Sequence, residues 1–542
     1  MRKIIWTKGW TVGKLTMFFL LISVAITYPA FTNHYFKLTM DGQIHLVRFE
    51  SIACALKSGH LPPLVNFYGF GHVGEVFNGT YPWLTGLIYV LPRMIFNNPM
   101  HALFVATVLL NMITMLCAYL LMGELTTNRW LKLTGTLIYQ LNTYHMIDIY
   151  ARVALGEAIA YAFLPLVFLG AHRIWHHKQG GKFWLALGMA TIINSHILTT
   201  MVACLILLVV ELYRSIRYRQ SILKEWLQFI ISGLMAFTMS IYSIVNVVLL
   251  YANNHMSAIN RTLTQISPVS LVTNSINNRI SDHTVNIGIV CLILLVSLFA
   301  KSFFAEQKSW TTYIWGAMVL FIITLDWIKF PKGLETSWLG QIQMLTRLYM
   351  VVVLFIAMSF VLYVSENGKI ISWVLPMWLT VMMVLFSIAG IAKYHDTMND
   401  DPIRYTINQK NYTKTIDSAS DGALDYGLIT KNGTSKLKFA NVQPKINEIS
   451  YDTVTFSFKG KKITRLPFFI YKGIKYTVFV NGQSVNAVPG ELLTLKLPAD
   501  HKATVKITSK ASPINYLLFV CSIISLLMFS LRQFRETILH KR

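Results

Sequence analysis

The chain is 542 residues long, with 54% hydrophobic and only 13% charged residues, and its mean hydropathy is +0.50. Soluble domains carry about a quarter charged residues, so this composition excludes an ordinary soluble protein. Nearly uncharged runs such as residues 15–31 can cross roughly 30 Å of hydrocarbon. The net charge of +24 does not by itself indicate nucleic-acid binding, because excess Lys and Arg in membrane proteins usually mark cytoplasmic loops. The five cysteines lack paired spacing, which predicts neither disulfides nor a metal site.

Twelve membrane crossings agree with the charges that flank the apolar runs. Arg2, Lys3, Lys8 and Lys14 precede the first run, and no small-residue cleavage site follows it, so we expect an uncleaved first helix with a cytoplasmic N-terminus. A basic cluster at 172–182 is expected on the same side. The predicted crossings are residues 15–31, 100–122, 133–150 and 157–175, two short helices within 183–213 that turn near 194–199, and residues 226–251, 284–300, 311–328, 347–364, 371–391 and 514–531.

Three regions follow from this pattern: a multi-span membrane domain at 1–393 whose first outer loop is 33–99, a strand-rich domain at 394–512, and a final crossing with a basic cytoplasmic tail at 513–542. The middle region carries roughly 17 basic and 10 acidic residues and alternating apolar runs, which are typical of strands. Asn481-Gly482 predicts a two-residue hairpin turn. We therefore expect a polytopic α-helical membrane protein with an extracytoplasmic C-terminal domain that resembles a β-sandwich.

Acidic residues are scarce in the predicted helices. An ion or proton transporter would more often hold carboxylates near the middle of the bilayer. Any chemistry is therefore expected at the outer surface. The acidic residues on that side are Asp41, Glu50, Glu75, Asp148, Glu157, Asp282, Asp326 and Glu335.

The first outer loop contains an amphipathic helix with polar residues near its start. Asp41, His45 and Arg48 recur at spacings of four and three, which predicts one shared helix face. A carboxylate beside an imidazole and a guanidinium could act as a general base next to a cation that binds phosphate. The alternative is that Asp41 only caps the helix.

The order of motifs resembles a known class. A short cytoplasmic N-terminus, one helix, a long outer loop with an early Asp, the break Gly59-His-Leu-Pro-Pro63 and the stretch Tyr81-Pro-Trp83 resemble the GT-C class of polyprenyl-phosphate-sugar glycosyltransferases. More narrowly, the chain is similar to the YfhO-like and "6-pyruvoyl-tetrahydropterin synthase-related" bacterial membrane proteins. The resemblance spans nearly the whole chain.

Three further segments support the narrower resemblance. Tyr150-Ala-Arg-Val-Ala-Leu-Gly-Glu157 resembles the family's Tyr-x-Arg-x-x-x-Gly-Glu segment, and Ser195-His196 resembles a His at the next outer turn. Ile342-Gln343 followed by Arg347 resembles an Ile-Gln-Phe-Pro-Trp-Arg element, in which Met-Leu-Thr here replaces Phe-Pro-Trp. The tail segments 466–473 and 480–482 resemble the outer β-domain of YfhO-like proteins.

The resemblance implies an inverting membrane glycosyltransferase of the hexosyltransferase class. It would move a sugar from an undecaprenyl-phosphate-linked donor to an extracytoplasmic acceptor such as teichoic acid, polysaccharide or glycoprotein, in the plasma membrane of a bacterium. The acceptor hydroxyl needs a base, the donor phosphate needs cations, and the donor lipid needs a groove between apolar helices. No cofactor and no metal is implied, because Asp-x-Asp and His-x-x-x-His patterns are missing from the outer segments.

The resemblance also implies residue roles. Asp41 is the candidate base. Arg152 and Arg347 are candidates for the donor phosphate, and lipid-headgroup contact is the alternative for both. Glu157 is expected to orient Arg152. The remaining candidates for substrate binding are His45, Arg48, His196 and Gln343, for which a structural role is the alternative.

Two other functions fit the same composition. A transporter or flippase of a lipid-linked saccharide would share the lipid groove but would not require a base. A non-catalytic scaffold for the cell envelope would use the basic strand-rich domain to bind an anionic polymer. Dependence on Asp41 alone separates the transferase from both alternatives.

Overall fold

The structure is a computed structural model that describes residues 12–217, 222–257, 261–305, 308–367, 374–397, 405–418 and 425–539. Several of the basic residues used to orient the chain lie outside the described residues: Arg2, Lys3, Lys8, Lys541 and Arg542. The described helices are α1 Val12–Thr27, α2 Met40–Lys57, α3 Phe77–Thr80, α4 Leu87–Ile95, α5 Pro99–Leu125, α6 Arg129–Gln140, α7 Thr143–Met146, α8 Leu155–Trp175, α9 Gly181–Ile193, α10 Ile197–Arg217, α11 Ile222–Met239, α12 Ile241–Asn253, α13 Pro268–Ile276, α14 Ile289–Ser302, α15 Ser309–Ile323, α16 Lys332–Thr336, α17 Tyr349–Glu366, α18 Val374–Asp396, α19 Tyr412–Asp417 and α20 Pro513–Leu539.

The expected polytopic helical membrane protein is confirmed. Eight helices of the described ranges, α1, α5, α8, α10, α11, α17, α18 and α20, are long and apolar enough to cross a membrane. Shorter apolar helices include α4, α9, α12, α14 and α15. The total of twelve crossings stays a prediction.

Two predicted crossings are each divided in the structure. The segment 226–251 is interrupted at Ser240, between α11 and α12. The segment 133–150 ends its first helix at Gln140, because the Asn142 side chain accepts a hydrogen bond from the His145 backbone N–H and starts α7. A π-helical turn, Ile147–Ala151, then follows α7. The turn predicted near 194–199 falls between the end of α9 at Ile193 and the start of α10 at Ile197.

The C-terminal region is rich in strands, as predicted. The strands are β1 Phe36–Leu38, β2 Leu263–Thr264, β3 Gln343–Met344, β4 Tyr405–Ile407, β5 Lys445–Ile449, β6 Thr453–Lys459, β7 Thr464–Ile470, β8 Thr477–Val480, β9 Gln483–Val485, β10 Glu491–Leu495 and β11 Lys502–Thr508. Eight of these strands of the described residues, β4 to β11, lie in the C-terminal region, and three short ones lie earlier. One sheet has the order β5-β6-β11-β8-β9, and β10 pairs with β7 in a second sheet. Phe468 of β7 lies 6.2 Å from Phe456 of β6, measured between ring centroids, so side chains of the two sheets meet.

The predicted hairpin at Asn481-Gly482 is confirmed. Val480 pairs with Gln483, and the two residues between them have φ values of 49° and 85°. Positive φ at both central positions is the turn geometry that Asn-Gly favours.

The strand-rich region is joined to the first loop by backbone pairing. Strand β1 pairs antiparallel with β4, with Phe36 opposite Ile407. The Phe469 N–H donates to the Val73 carbonyl at 2.8 Å. Lys37 Nζ donates to the carbonyl of Tyr394 at 2.5 Å, which places a cation at the negative C-terminal end of α18. The predicted domain boundary at 393/394 stays a prediction. These contacts hold the first outer loop against the region that follows this boundary.

Helices α8 and α9 pack closely because glycine occupies the contact. A Cβ added at Gly170 would overlap the backbone N and Cα of Leu185. We expect Gly170→Ala to destabilise the protein by about 1–3 kcal/mol, the typical cost of overpacking. The Tm in detergent, followed by tryptophan fluorescence, should fall.

Gly233→Ala in α11 is the matched control. Nothing lies within 4 Å of the added Cβ there, and alanine is favoured over glycine inside a helix by roughly 0.5–1 kcal/mol. The Tm of this variant should stay the same or rise. A Gly170→Ala protein with an unchanged Tm would contradict the close approach of α8 and α9.

Candidate active site

A cavity of about 420 Å³ lies beside the first turn of α2, between the ends of several helices. Seven of the eight predicted site residues line it: Asp41, His45, Arg152, Glu157, His196, Gln343 and Arg347. Its other lining residues are Ile44, Phe77, Tyr81, Ala154, Leu198, Thr262, Thr264, Met344, Asp425 and Tyr426. The chain therefore brings together residues that are up to about 300 positions apart in the sequence, while Arg48 is missing from the wall.

Asp41 faces the cavity and does not cap the helix. The N-cap is Thr39, whose Oγ1 accepts a hydrogen bond from the Gly42 N–H at 3.2 Å. The interpretation of Asp41 as a simple cap is therefore wrong. Asp41 is exposed to the cavity and makes no hydrogen bond within the described ranges. Burial between the cavity walls raises the pKa of Asp41 above its usual value, and Arg152 and Arg347 oppose that shift.

The first turn of α2 is fixed against the segment that carries Arg152. Thr39 Oγ1 donates to the Arg152 carbonyl. A Cβ added at Gly42 would lie 2.8 Å from the Cβ of Val153, so only glycine allows this approach. Val153 itself has φ of +52°, which is strained for a β-branched residue. These contacts hold Asp41 and Arg152 at the same cavity.

His45 lies one turn after Asp41 and is buried. Its Nε2 faces the Gly156 N–H at 3.5 Å, and its Nδ1 lies 3.4 Å from Arg48 Nη1. Burial, together with the Arg48 charge, lowers the pKa of His45 well below the usual value. The imidazole is therefore neutral at physiological pH.

Arg48 lies behind the cavity wall, which corrects its predicted role in phosphate binding. Its Nη2 donates to the Tyr81 carbonyl at 2.8 Å, and its guanidinium lies 4.4 Å from the Tyr81 ring centroid. The spacing of Asp41, His45 and Arg48 predicted one shared face, but α2 is covered by protein on more than one side. Arg48 therefore positions Tyr81 and His45.

Glu157 joins the two candidate phosphate-binding residues. Its Oε2 accepts from Arg152 Nη1 at 3.3 Å and from Arg347 Nε at 3.1 Å. Its Oε1 accepts from the Tyr144 hydroxyl. Asp148 Oδ1 also accepts from Arg152 Nη1, at 2.8 Å. The predicted orienting role of Glu157 thus extends from Arg152 to Arg347.

Both guanidinium groups keep hydrogen-bond donors for a ligand. Arg347 uses Nε for Glu157 and Nη1 for the Ile342 carbonyl at 2.6 Å and Gln343 Oε1 at 3.0 Å. Arg152 uses only Nη1. Within the described part of the chain, Nη2 of each group has no hydrogen-bond partner, and neither is fully shielded from solvent. A phosphate in the cavity could accept from both.

His196 ends the turn between α9 and α10. Its Nδ1 lies 2.7 Å from Thr199 Oγ1, and its ring centroid lies 6.0 Å from that of Tyr81. Burial lowers the pKa of His196 to about 3, so the ring is neutral. Gln343, with φ of +63°, carries its side chain beside Arg347.

Two motifs meet at Gly156. A Cβ at this position would overlap the Tyr81 hydroxyl, so the glycine that precedes Glu157 leaves room for the Tyr81-Pro-Trp83 stretch. Met344 stands at the position of the Phe in the Ile-Gln-Phe-Pro-Trp-Arg element. Its side chain also lines the cavity.

Sequence reasoning missed Asp425 and Tyr426, which reach the cavity from the C-terminal region. Burial and the Asp41 charge raise the pKa of Asp425. The adjacent backbone is paired to the segment after α12, since the Ser257 N–H donates to the Gly427 carbonyl at 2.8 Å. No local sequence pattern signals this long-range pairing.

Residues 83–332 match a family model described as "Bacterial membrane protein YfhO". The match covers 250 of the 542 residues, so this chain is similar to that family over a little less than half of its length. The matched segment contains Arg152, Glu157 and His196, whereas Asp41 and Arg347 lie on either side of it.

Among solved structures, this chain is similar to the arabinosyltransferase EmbB from Mycobacterium smegmatis, with 8% sequence identity and a TM-score of 0.35. The likeness covers 94% of this chain and 64% of that one, so the chain spans less than two thirds of the length of EmbB. No curated protein matches the chain.

In the ranges that the structure describes, no group of three or more His, Cys, Asp or Glu side chains is arranged to hold a metal ion. Metal-independent chemistry stays a prediction for this protein.

Glu75 lies outside the cavity wall but is a second unusual carboxylate. It is 0% exposed, and neither of its oxygens has a hydrogen-bond partner among the described residues. Burial raises its pKa well above the ordinary value of 4.5, and Asp425 adds to the shift. The folded protein therefore keeps the proton of Glu75 at pH values where the unfolded chain loses it.

This difference predicts that stability falls with rising pH. The free energy of unfolding should drop as pH rises from 4.5 through the folded pKa, by about 1.4 kcal/mol per pH unit for one proton. Glu75→Gln should remove this slope, measured as Tm in detergent between about pH 5 and 8. Glu448→Gln, on an exposed strand position, should keep it. Equal slopes in wild type and Glu75→Gln would refute the assignment.

Proposed function

We propose that the protein is a membrane glycosyltransferase of the GT-C type, which moves a sugar from a polyprenyl-phosphate donor to a hydroxyl of a cell-envelope acceptor. The observation that carries this proposal is an unpaired carboxylate, Asp41, in the same cavity as two guanidinium groups, Arg152 and Arg347, that have free donors. A general base and a phosphate site are the two elements that such a transfer requires.

In the proposed reaction, Asp41 accepts the proton of the acceptor hydroxyl. The hydroxyl oxygen attacks the anomeric carbon of the donor sugar, and the bond from that carbon to the phosphate oxygen breaks. The lipid phosphate leaves with the bonding electrons. A single displacement of this kind inverts the anomeric centre and needs one carboxylate base.

Arg152 and Arg347 would bind the leaving phosphate through Nη2 and stabilise the charge that develops on it. Glu157 fixes both guanidinium groups, so they need little reorganisation when the phosphate leaves. His196 is neutral, and its Nε2 makes no hydrogen bond among the described residues, so it can contact a sugar hydroxyl without adding charge. His45 is also neutral, but both of its ring nitrogens already face the protein donors Gly156 N–H and Arg48 Nη1.

The proposed location of the cavity is extracytoplasmic. Helices α8 and α10 begin at the cavity, and ion pairs lie near their other ends. There, Arg173 and Lys178 contact Glu124, and Arg214 contacts Glu225. Cytoplasmic loops are enriched in Lys and Arg, which supports cytoplasmic termini and an outer cavity. The donor would be an undecaprenyl-phosphate sugar, and the acceptor a teichoic acid, polysaccharide or glycoprotein.

Asp41→Asn should abolish transfer in proteoliposomes that contain a polyprenyl-phosphate sugar, because an amide cannot take the acceptor proton. Loss of a general base typically costs about 10²–10⁴-fold in rate. The matched control is Asp500→Asn, since Asp500 lies in a turn with φ of +60°, which Asn tolerates. Normal transfer by Asp41→Asn would exclude Asp41 as the base. An absence of transfer by the wild-type protein would instead favour a flippase or an envelope scaffold, neither of which requires a base.

The pH dependence of transfer provides a second test. Because the base acts only when ionised and the pKa of Asp41 is raised above 3.8, transfer should fall with acidification at a pH above that of an ordinary Asp. The initial rate should be measured from about pH 4 to 8. His196→Gln should leave the position of this acid limb unchanged, since the pKa of His196 is about 3. A limb that moves with this substitution would assign the titration to the histidine.

A further inference from the structure

A second cavity, of about 650 Å³, lies between the end of α12 and the C-terminal strands. Its charged lining is strongly basic: Lys431, Lys436, Arg465 and Lys472 face one acid, Glu491. The volume lies in the range of roughly 300–1,000 Å³ that is typical of sites for small organic molecules. The space is therefore large enough for several units of a chain rather than for a single ion.

Most of this positive charge is available for a ligand. Lys436 is occupied, because its Nζ donates to the Gly490 carbonyl at 2.6 Å and lies 2.7 Å from Glu491 Oε1. Within the described residues, the side chains of Lys431, Arg465 and Lys472 make neither a hydrogen bond nor an ion pair. Three uncompensated cations in one cavity repel one another, and an anion would relieve that repulsion.

The backbone around these cations is fixed. Asn254, at the end of α12, accepts from the Lys472 N–H at 2.8 Å and donates to the Lys472 carbonyl at 3.1 Å. The Ile429 N–H donates to the His255 carbonyl at 3.0 Å. The site is therefore built from three separate parts of the chain, the end of α12, the segment after residue 425 and the strand-rich region, and it is not a loop with a local charge run.

The same segment separates the two cavities. Asp425 and Tyr426 line the first cavity, and Leu428 to Lys431 line the second. A chain bound in the basic cavity would thus lie directly behind the wall that faces Asp41.

We propose that the basic cavity binds the phosphodiester backbone of a soluble anionic polymer. Phosphodiesters carry one charge per unit, and Lys and Arg bind them through charge-assisted hydrogen bonds. Arg465 lies on β7 and Glu491 on β10, and the cavity of about 650 Å³ has room for several phosphodiester units. A polymer therefore fits better than a single lipid headgroup. Binding here would occur whether or not the first cavity transfers a sugar.

The test uses the full chain in nanodiscs of zwitterionic phosphatidylcholine and a fluorescently labelled glycerol phosphate oligomer, with Kd measured by anisotropy. Replacement of all three free cations, Lys431→Gln, Arg465→Gln and Lys472→Gln, should weaken binding roughly tenfold, or about 1.4 kcal/mol. The matched control removes the same charge from exposed positions away from the cavity, by Lys459→Gln, Lys461→Gln and Lys502→Gln, and should change Kd little. Wild-type binding should also weaken with added salt.

Glu491→Gln provides an opposite prediction with the same probe. The substitution removes the one acid of the charged lining and frees Lys436 Nζ, so the oligomer should bind more tightly. The Tm of the Glu491→Gln protein should match that of the wild type, so that a gain in affinity reports on the folded cavity. The Asp41→Asn protein should bind the oligomer as wild type does, which separates this site from the proposed transfer reaction.

Three results would overturn the proposal: no binding of the oligomer, equal losses in the cavity and control variants, or weaker binding by Glu491→Gln. Phosphatidylglycerol in the nanodiscs should not compete for the cavity. If that lipid displaces the oligomer through the same three cations, the site belongs to a lipid headgroup.

Discussion

The candidate site depends on the two ion pairs that the Glu157 carboxylate forms with Arg152 and Arg347. This carboxylate accepts hydrogen bonds from Arg152, which follows the π-helical turn, and from Arg347, which precedes α17. Two guanidinium groups this close would repel one another without an anion between them, and leaving either charge unpaired in a buried position is costly. One carboxylate therefore fixes the ends of two distant segments and sets the distance between the cations.

The second constraint is the contact between α2 and the strained segment at Val153. Thr39 serves as cap and as donor to the Arg152 carbonyl, while Gly42 leaves room for Val153. Because Thr39 takes the capping position, Asp41 is released from it. A carboxylate in the first turn of a helix is stabilised by the helix dipole, whereas the cavity walls raise its pKa. The balance leaves an acid that is accessible, unpaired and close to two cations.

The sequence predicted the parts of this arrangement that are local. Helices with long apolar runs, the hairpin at Asn481-Gly482 and the motif from Tyr150 to Glu157 each have a pattern within a few residues. Three features had no such signal. The division of the crossing at 133–150 depends on one Asn142 side chain, the covered position of Arg48 depends on packing around α2, and Asp425 enters the cavity through pairing with residues near 257. Each of these is set by contacts far away in the sequence.

The segment after residue 425 forms a wall that the two cavities share. Its backbone is paired on one side with residues 255–257. Its first residues, Asp425 and Tyr426, line the cavity with Asp41, and residues 428–431 line the basic cavity. The acidic side chain, Asp425, faces the first cavity, and the basic one, Lys431, faces the second. A polyanion would therefore be attracted to the basic side and repelled by the acidic side of the same strip. The chain thus places the cavity that holds Asp41 next to a basic cavity, with the segment after residue 425 between them.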